Sequence, residues 1–177
     1  KIITAVKKSP ELQYCKIILG GPEVRNHVDN FLKHGADVIV LGEGEITFHE
    51  VINTLQQKKD LLTVKGVCYK NSMNEIIHTA EREKIKDLDT LPFPNRKKVN
   101  LQLYLDAWKK HHGKNAISIS TMRGCPYTCK WCSRAVYGLS YRRRSAANVV
   151  DEMEQLKSTY QPDTLWFVDD VFTVSHN

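Results

Sequence analysis

The sequence predicts an α/β protein with parallel strands, and three features carry that expectation. Short apolar runs alternate with segments of helical hydrophobic spacing over residues 15–57, and the same alternation returns over residues 116–168. Glycine-containing turns follow the first two strand-like runs directly, and a proline-containing stretch separates the two alternating regions. Strand, helix, strand, helix with short turns favours a parallel, doubly wound sheet.

Taken in order, Ile2 to Lys8 reads as the end of a helix stopped near Ser9-Pro10. Cys15-Lys-Ile-Ile-Leu19 is a short apolar strand that runs into Gly20-Gly21-Pro22. From Glu23 to His34, Val24, Val28, Phe31 and Leu32 share one helical face, and Gly35 stops the helix. Ala36-Asp-Val-Ile-Val-Leu41 is the next strand, followed by the turn Gly42-Glu43-Gly44-Glu45. A helix from Ile46 to Gln57 then places Phe48, Val51, Ile52 and Leu55 on its apolar side. Ligands of such sheets bind beyond the carboxyl ends of the strands, where these glycine turns lie.

Val64 to Lys70 and Glu75 to Thr79, separated by Asn71-Ser-Met-Asn74, read as a hairpin with a polar turn. Pro92 and Pro94 restrict the backbone and favour an extended linker. Leu101 to His111 forms a short amphipathic helix expected to pack on its neighbours. Ala116 to Thr121 is strand-like, Ser145 is a candidate N-cap, and Val149, Val150, Met153, Leu156 and Tyr160 recur at helical spacing. Asp163 to Val168 is a second strand, ending at Asp169-Asp170.

The chemistry is concentrated in Arg123-Gly-Cys-Pro-Tyr-Thr-Cys-Lys-Trp-Cys132, which spaces Cys125, Cys129 and Cys132 by three and then two residues. Thiolates are the usual ligands of iron–sulfur clusters, and a four-iron cube normally takes four, so three leave one iron open for substrate. Zinc sites pair cysteines as Cys-x-x-Cys and close with a fourth ligand. Cys129 and Cys132 have that spacing, with His111 and His112 upstream to complete a site. A disulfide framework is disfavoured by the odd count of 5 cysteines and the lack of a visible secretory segment. Cys15 and Cys68 lie in apolar runs and are expected to be small buried hydrophobes.

Charge and composition narrow the class. The net charge of +6 resides in residues 91–177, which hold 13 Lys and Arg against 7 Asp and Glu, whereas residues 1–90 hold 13 of each. Arg96-Lys97-Lys98 and Arg142-Arg143-Arg144 contribute most visibly. Such runs are usually solvated surface, though Arg142 to Arg144 offer guanidinium groups to a ligand carboxylate or phosphate. A hydrophobic content of 41% over 177 residues suffices for a core, and no apolar run approaches the roughly 20 residues of a bilayer span. The chain begins at Lys1 and ends at Asn177 just after an apolar strand, so it is expected to be an internal fragment of a longer polypeptide.

Cys-x-x-x-Cys-x-aromatic-Cys after a first strand, preceded by Arg-Gly, resembles the signature of radical S-adenosylmethionine enzymes. That resemblance implies a [4Fe-4S] cluster on Cys125, Cys129 and Cys132, with S-adenosylmethionine chelating the fourth iron. It implies Trp131 beside the adenine, and Asp169 or Asp170 hydrogen-bonding the methionine amino group. Leu-Gly-Gly-Pro-Glu23 followed by Val-Leu-Gly-Glu-Gly-Glu45 resembles the last two turns of the cobalamin-binding domains that precede such barrels. Gly20 and Gly21 would then border the nucleotide tail of cobalamin, and Gly42, Glu43, Gly44 and Glu45 would face the cofactor or the barrel. The histidine-bearing loop of that family, Asp-x-His-x-x-Gly, does not occur in this chain.

The implied organisation is the end of a doubly wound, Rossmann-like cobalamin-binding domain over 1–60 and a hairpin and linker over 61–114. The start of a partial (β/α) barrel follows over 115–177, as its first βα unit and second strand. The implied function is cleavage of S-adenosylmethionine and cobalamin-dependent methylation of an unactivated carbon, which this fragment alone is not expected to complete. Cobalamin-associated radical cyclisation or rearrangement is the alternative of the same class, and a nucleic-acid-binding zinc module that of another. The same reading implies a small-molecule substrate, an external electron donor such as a flavodoxin or ferredoxin, and a cytoplasmic setting.

Overall fold

The computed structural model describes residues 1–132 and 137–174. The chain divides into two compact units, Lys1–Ile85 and Lys86–Asn177.

The first unit is a mixed sheet covered by helices on both faces. Helix α1, Ile2–Lys8, ends at Ser9, and strand β1, Ile18–Leu19, runs into the Gly20-Gly21 turn. The helix expected over residues 23–34 is divided: a 3-10 turn, Val24–Asn26, ends at His27, whose φ of −134° departs from helical values, before α2, Val28–Lys33. Strand β2, Val38–Val40, pairs parallel with β1, and α3 follows over Gly44–Gln56. Strands β3, Val67–Lys70, and β4, Ile76–His78, then form the expected hairpin.

β3 pairs antiparallel with β2, giving the order β1-β2-β3-β4, and the hairpin lies within this compact unit, which runs to Ile85. The sheet is therefore mixed rather than uniformly parallel. The cause is burial: all three residues of β2 are buried, and a strand so apolar would be a liability as a sheet edge. Alternation then sorts the two faces. Val38, Val40, Val67 and Tyr69 pack with Val51 of α3, while Ile39 and Cys68 pack with Val28 and Leu32 of α2.

In the second unit, Leu101–His112 forms α4, ended by Gly113 in the left-handed region, and it packs through buried Leu105. Strand β5, Ala116–Ile119, leads to β6, Met122–Arg123, which pairs antiparallel with β7, Arg142–Arg143. Helix α5, Ala146–Tyr160, is capped as expected by Ser145, whose hydroxyl accepts the Asn148 N–H at 3.1 Å. Strand β8, Thr164–Phe167, pairs parallel with β5, completing a β-α-β unit. Leu105, Ile117 and Leu156 form its core, flanked by Tyr160 and Leu165. Val150, expected on the apolar face of α5, is 48% exposed, and Glu152 lies buried in the seam instead. Among the described residues, no helix is long and apolar enough to cross a membrane.

Candidate metal centre

The cysteine segment leaves the carboxyl end of β5 and returns to the start of α5, and its base is closed by two rungs of antiparallel pairing. Met122 pairs with Arg143 and Arg123 with Arg142, and Cys125 bridges to Leu139 just inside them. Gly124 is obligatory here: its φ is +83°, and a Cβ would overlap the hydroxyl and carbonyl oxygens of Ser140. Arg-Gly before the first cysteine thus reflects backbone packing at the neck of the loop.

All three thiols are free, with Cys125 and Cys132 half-buried and Cys129 exposed. The Cys132 N–H donates to the Cys129 carbonyl at 3.2 Å, a tight turn that brings these two backbones together. Among the described residues, no three His, Cys, Asp or Glu side chains are gathered as a metal-holding group. The donor set itself fits an iron–sulfur cluster, and ligand loops commonly complete their geometry on binding metal. Trp131 is 90% exposed, which leaves its indole at the loop surface. His112, considered as a zinc ligand, stacks on Trp108 with ring centroids 4.4 Å apart.

Asp169 and Asp170 are adjacent in sequence and differ in setting. Asp169 accepts the Thr121 N–H at 2.7 Å, the Thr121 hydroxyl at 2.6 Å, the Ser120 hydroxyl at 3.0 Å and the Met122 N–H at 3.2 Å. Its carboxylate is committed to the segment that enters the cysteine loop, whereas Asp170 is exposed.

The basic runs are more structural than their sequence suggests. Arg96 donates to Glu152 at 2.7 Å and to the Ser118 carbonyl at 3.0 Å. Arg144 donates to the other Glu152 oxygen, to the Ser120 carbonyl at 2.8 Å and to the Asn148 side chain at 2.6 Å, and lies over the Phe93 ring. Glu152 is 2% exposed, and two guanidinium groups compensate its charge. Sequence reasoning treated Arg144 as a possible ligand contact and missed Glu152. The available signal was a charged residue one helical turn before Leu156, on the buried side of α5.

In the first unit, the Gly20-Gly21 and Gly42 turns lie at the carboxyl ends of the parallel neighbours β1 and β2. Gly21 and Gly42 take φ of +109° and +75°, and a Cβ on either would meet nothing within 4 Å. Their glycine requirement is therefore conformational, and both turns are exposed. Gly44 and Glu45, expected in the turn, begin α3 instead, and the Glu43 carboxylate accepts the Ile85 N–H at 2.8 Å, tying the end of the unit to this turn. Of the remaining cysteines, Cys68 is buried as expected, while Cys15 is exposed because it precedes β1 in a turn. Burial, reinforced by Asp29, pushes the Cys68 thiol up to about 11, and its sulfur lies 3.1 Å from His78 Nδ1.

No family model matches the chain. It is 28% identical over 162 residues to an uncharacterised methyltransferase of Pyrococcus horikoshii, an alignment covering 90% of the chain and 34% of that protein. It is 29% identical over 162 residues to the anaerobic magnesium-protoporphyrin IX monomethyl ester cyclase of Synechocystis, covering 90% of the chain and 31% of the cyclase. Identity is 28% over 169 residues to the cobalamin-dependent radical SAM methyltransferase TokK of Streptomyces tokunonensis, covering 91% of the chain and 23% of TokK. Among solved structures, the radical S-adenosylmethionine methyltransferase TsrM from Kitasatospora setae, with cobalamin and a [4Fe-4S] cluster bound, matches with a TM-score of 0.69 at 20% identity. That match covers 96% of the chain and 32% of TsrM. The chain spans about a third of the length of the first curated relatives it matches.

Proposed function

As this chain belongs to the radical S-adenosylmethionine proteins that carry a cobalamin-binding domain, we propose that it holds a [4Fe-4S] cluster on Cys125, Cys129 and Cys132 and serves cobalamin-dependent methylation of an unactivated carbon. The observation that carries this reading is three free thiols in one neck-closed loop at the carboxyl end of β5, where parallel α/β folds place their chemistry. The first unit supplies the end of the cobalamin-binding domain, and the β5-α5-β8 unit begins the barrel.

The cluster, when bound, supplies the electron for reductive cleavage of S-adenosylmethionine. The protein's part is orientation and exclusion of water. The exposed Trp131 indole offers its face to an adenine, and the exposed Asp170 carboxylate offers an acceptor to the methionine ammonium group. Gly21 and Gly42 admit close approach of cobalamin to the backbone of their turns. The reading calls for a small-molecule substrate and a one-electron donor such as a flavodoxin or ferredoxin in a reducing cytoplasm.

Anaerobic reconstitution with iron and sulfide tests this assignment. The expected result is a brown chain with about four irons and broad absorption, lost on Cys→Ala replacement at any of the three positions. Stoichiometric zinc with no iron uptake would overturn it in favour of a zinc module. The cyclase relative favours a second reading, radical cyclisation without methyl transfer. Product analysis of the full-length protein separates the two, since methylated product appears in one case and deoxyadenosine without methyl transfer in the other.

A further inference from the structure

Resting on the assignment of Cys125, Cys129 and Cys132 as cluster ligands, we infer that Asp169 is a positioning residue of the cluster loop, and that the two neighbouring aspartates have separate tasks. Asp169 would hold the thiol-bearing backbone in place, leaving Asp170 for the ligand.

The geometry is a carboxylate staple. β5 and β8 run parallel with Ile119 opposite Phe167, and the Val168 N–H still donates to the Ile119 carbonyl at 3.0 Å. Beyond that bond the regular ladder stops, and the chain after β5 must turn toward Gly124 and Cys125. The N–H groups of Thr121 and Met122 and the hydroxyl of Thr121 then all point to one acceptor, the Asp169 side chain, while the Ser120 hydroxyl lies 3.0 Å from both that carboxylate and the Met122 carbonyl. Hydrogen bonds to an ionised carboxylate are about twice as strong as neutral ones, and the three from Thr121 and Met122 fix the direction in which the strand departs. Cys125 lies three residues beyond Met122, with Gly124 between them set so close to Ser140 that a Cβ would overlap it. The position of the first thiol is thereby linked to Asp169, although that carboxylate is not itself a metal ligand.

A structural comparison exists at the opposite end of the same strand pair. The Asp163 carboxylate accepts the Asn115 N–H at 2.9 Å and pairs with Lys109, so it also fastens β8 to β5, but away from the cysteines. Substituting it perturbs the sheet without touching the loop neck.

The test uses the 177-residue chain, metal-free and after anaerobic loading with iron and sulfide. In the metal-free chain, Asp169→Asn is expected to speed hydrogen exchange at the Thr121 and Met122 amides about tenfold, and retained protection there would overturn the inference. In the loaded chain, Asp169→Asn is expected to release iron to a chelator about tenfold faster than wild type. Asp163→Asn should stay within about twofold, with melting temperatures measured on both variants to show the difference is not general unfolding. Equal release from the two variants, or wild-type release from Asp169→Asn, would also overturn it. If Asp169→Asn does not fold, Thr121→Val removes one of the donors at nearly constant shape and is expected to speed release about threefold, with no change counting against the proposal. Failure of the wild-type chain to take up iron would instead sink the cluster assignment, and the inference with it.

Discussion

Five cysteines occupy three environments, and their reactivity should follow. Cys15 and Cys129 are exposed, whereas Cys68 is buried with its thiol held protonated at neutral pH, because burial and Asp29 both oppose its ionisation. Brief alkylation of the metal-free chain at pH 8 is expected to label Cys15 and Cys129 and spare Cys68, as read by peptide mass spectrometry. Iron loading should then protect Cys129 and leave Cys15 reactive, which separates ligation from burial. Gly124→Ala places a methyl group against Ser140 at a positive φ. Iron uptake should fall at least tenfold, because the neck must open to admit it. The cysteine spacing was legible as a metal motif from residues alone. The need for Gly124 was not, since Ser140 meets it only once the loop is closed.

At the scale of elements, two charged groups do what apolar patterning does elsewhere. Glu152 joins Arg96 and Arg144 inside the second unit, so Glu152→Ala leaves two partly buried guanidinium groups without their counter-ion. A loss of about 3–5 kcal/mol is expected in denaturant titration. Val150→Ala, on the exposed side of the same helix, should change stability by less than about 0.5 kcal/mol. In the first unit, Asp37 fastens α1 and the approach to β1 through Lys7 at 2.7 Å, Lys16 at 3.1 Å and the Ile17 N–H at 2.8 Å. Burial alone would raise its pKa, but the Ile17 N–H and then the two lysines outweigh it and hold the carboxyl below the usual range. A depressed folded value means stability present above the unfolded pKa of about 3.9 and lost as pH falls through the folded one. Asp37→Asn should therefore cost about 1–2 kcal/mol at pH 7, and the gap from wild type should narrow as pH falls through the depressed folded value in pH-dependent melting.

For the molecule as a whole, element type was readable and element membership was not. The βαβ alternation survives in both units, because a period of 2 or 3.6 is a local property of side-chain direction. Whether the hairpin belongs to a sheet depends on which neighbour can cover β2, and neither Val67 nor Val38 carries that information in its own segment. The settings of Glu152 and Asp169 were illegible for a related reason: a buried or committed carboxylate is recognised by its donors, which here include groups 56 and 48 residues away, at Arg96 and Thr121. The two arginines have a further consequence at the open side of the second sheet. Carbonyls of Asn115 and Ile119 face β8, so those of Ser118 and Ser120 face the other edge of β5, where Arg96 and Arg144 take them. Guanidinium groups standing where a strand would dock guard that edge against intermolecular β-pairing. The cluster that neutralises Glu152 thus also bears on colloidal behaviour, and the Arg96→Ala, Arg144→Ala double variant is expected to self-associate in light scattering at concentrations where wild type does not.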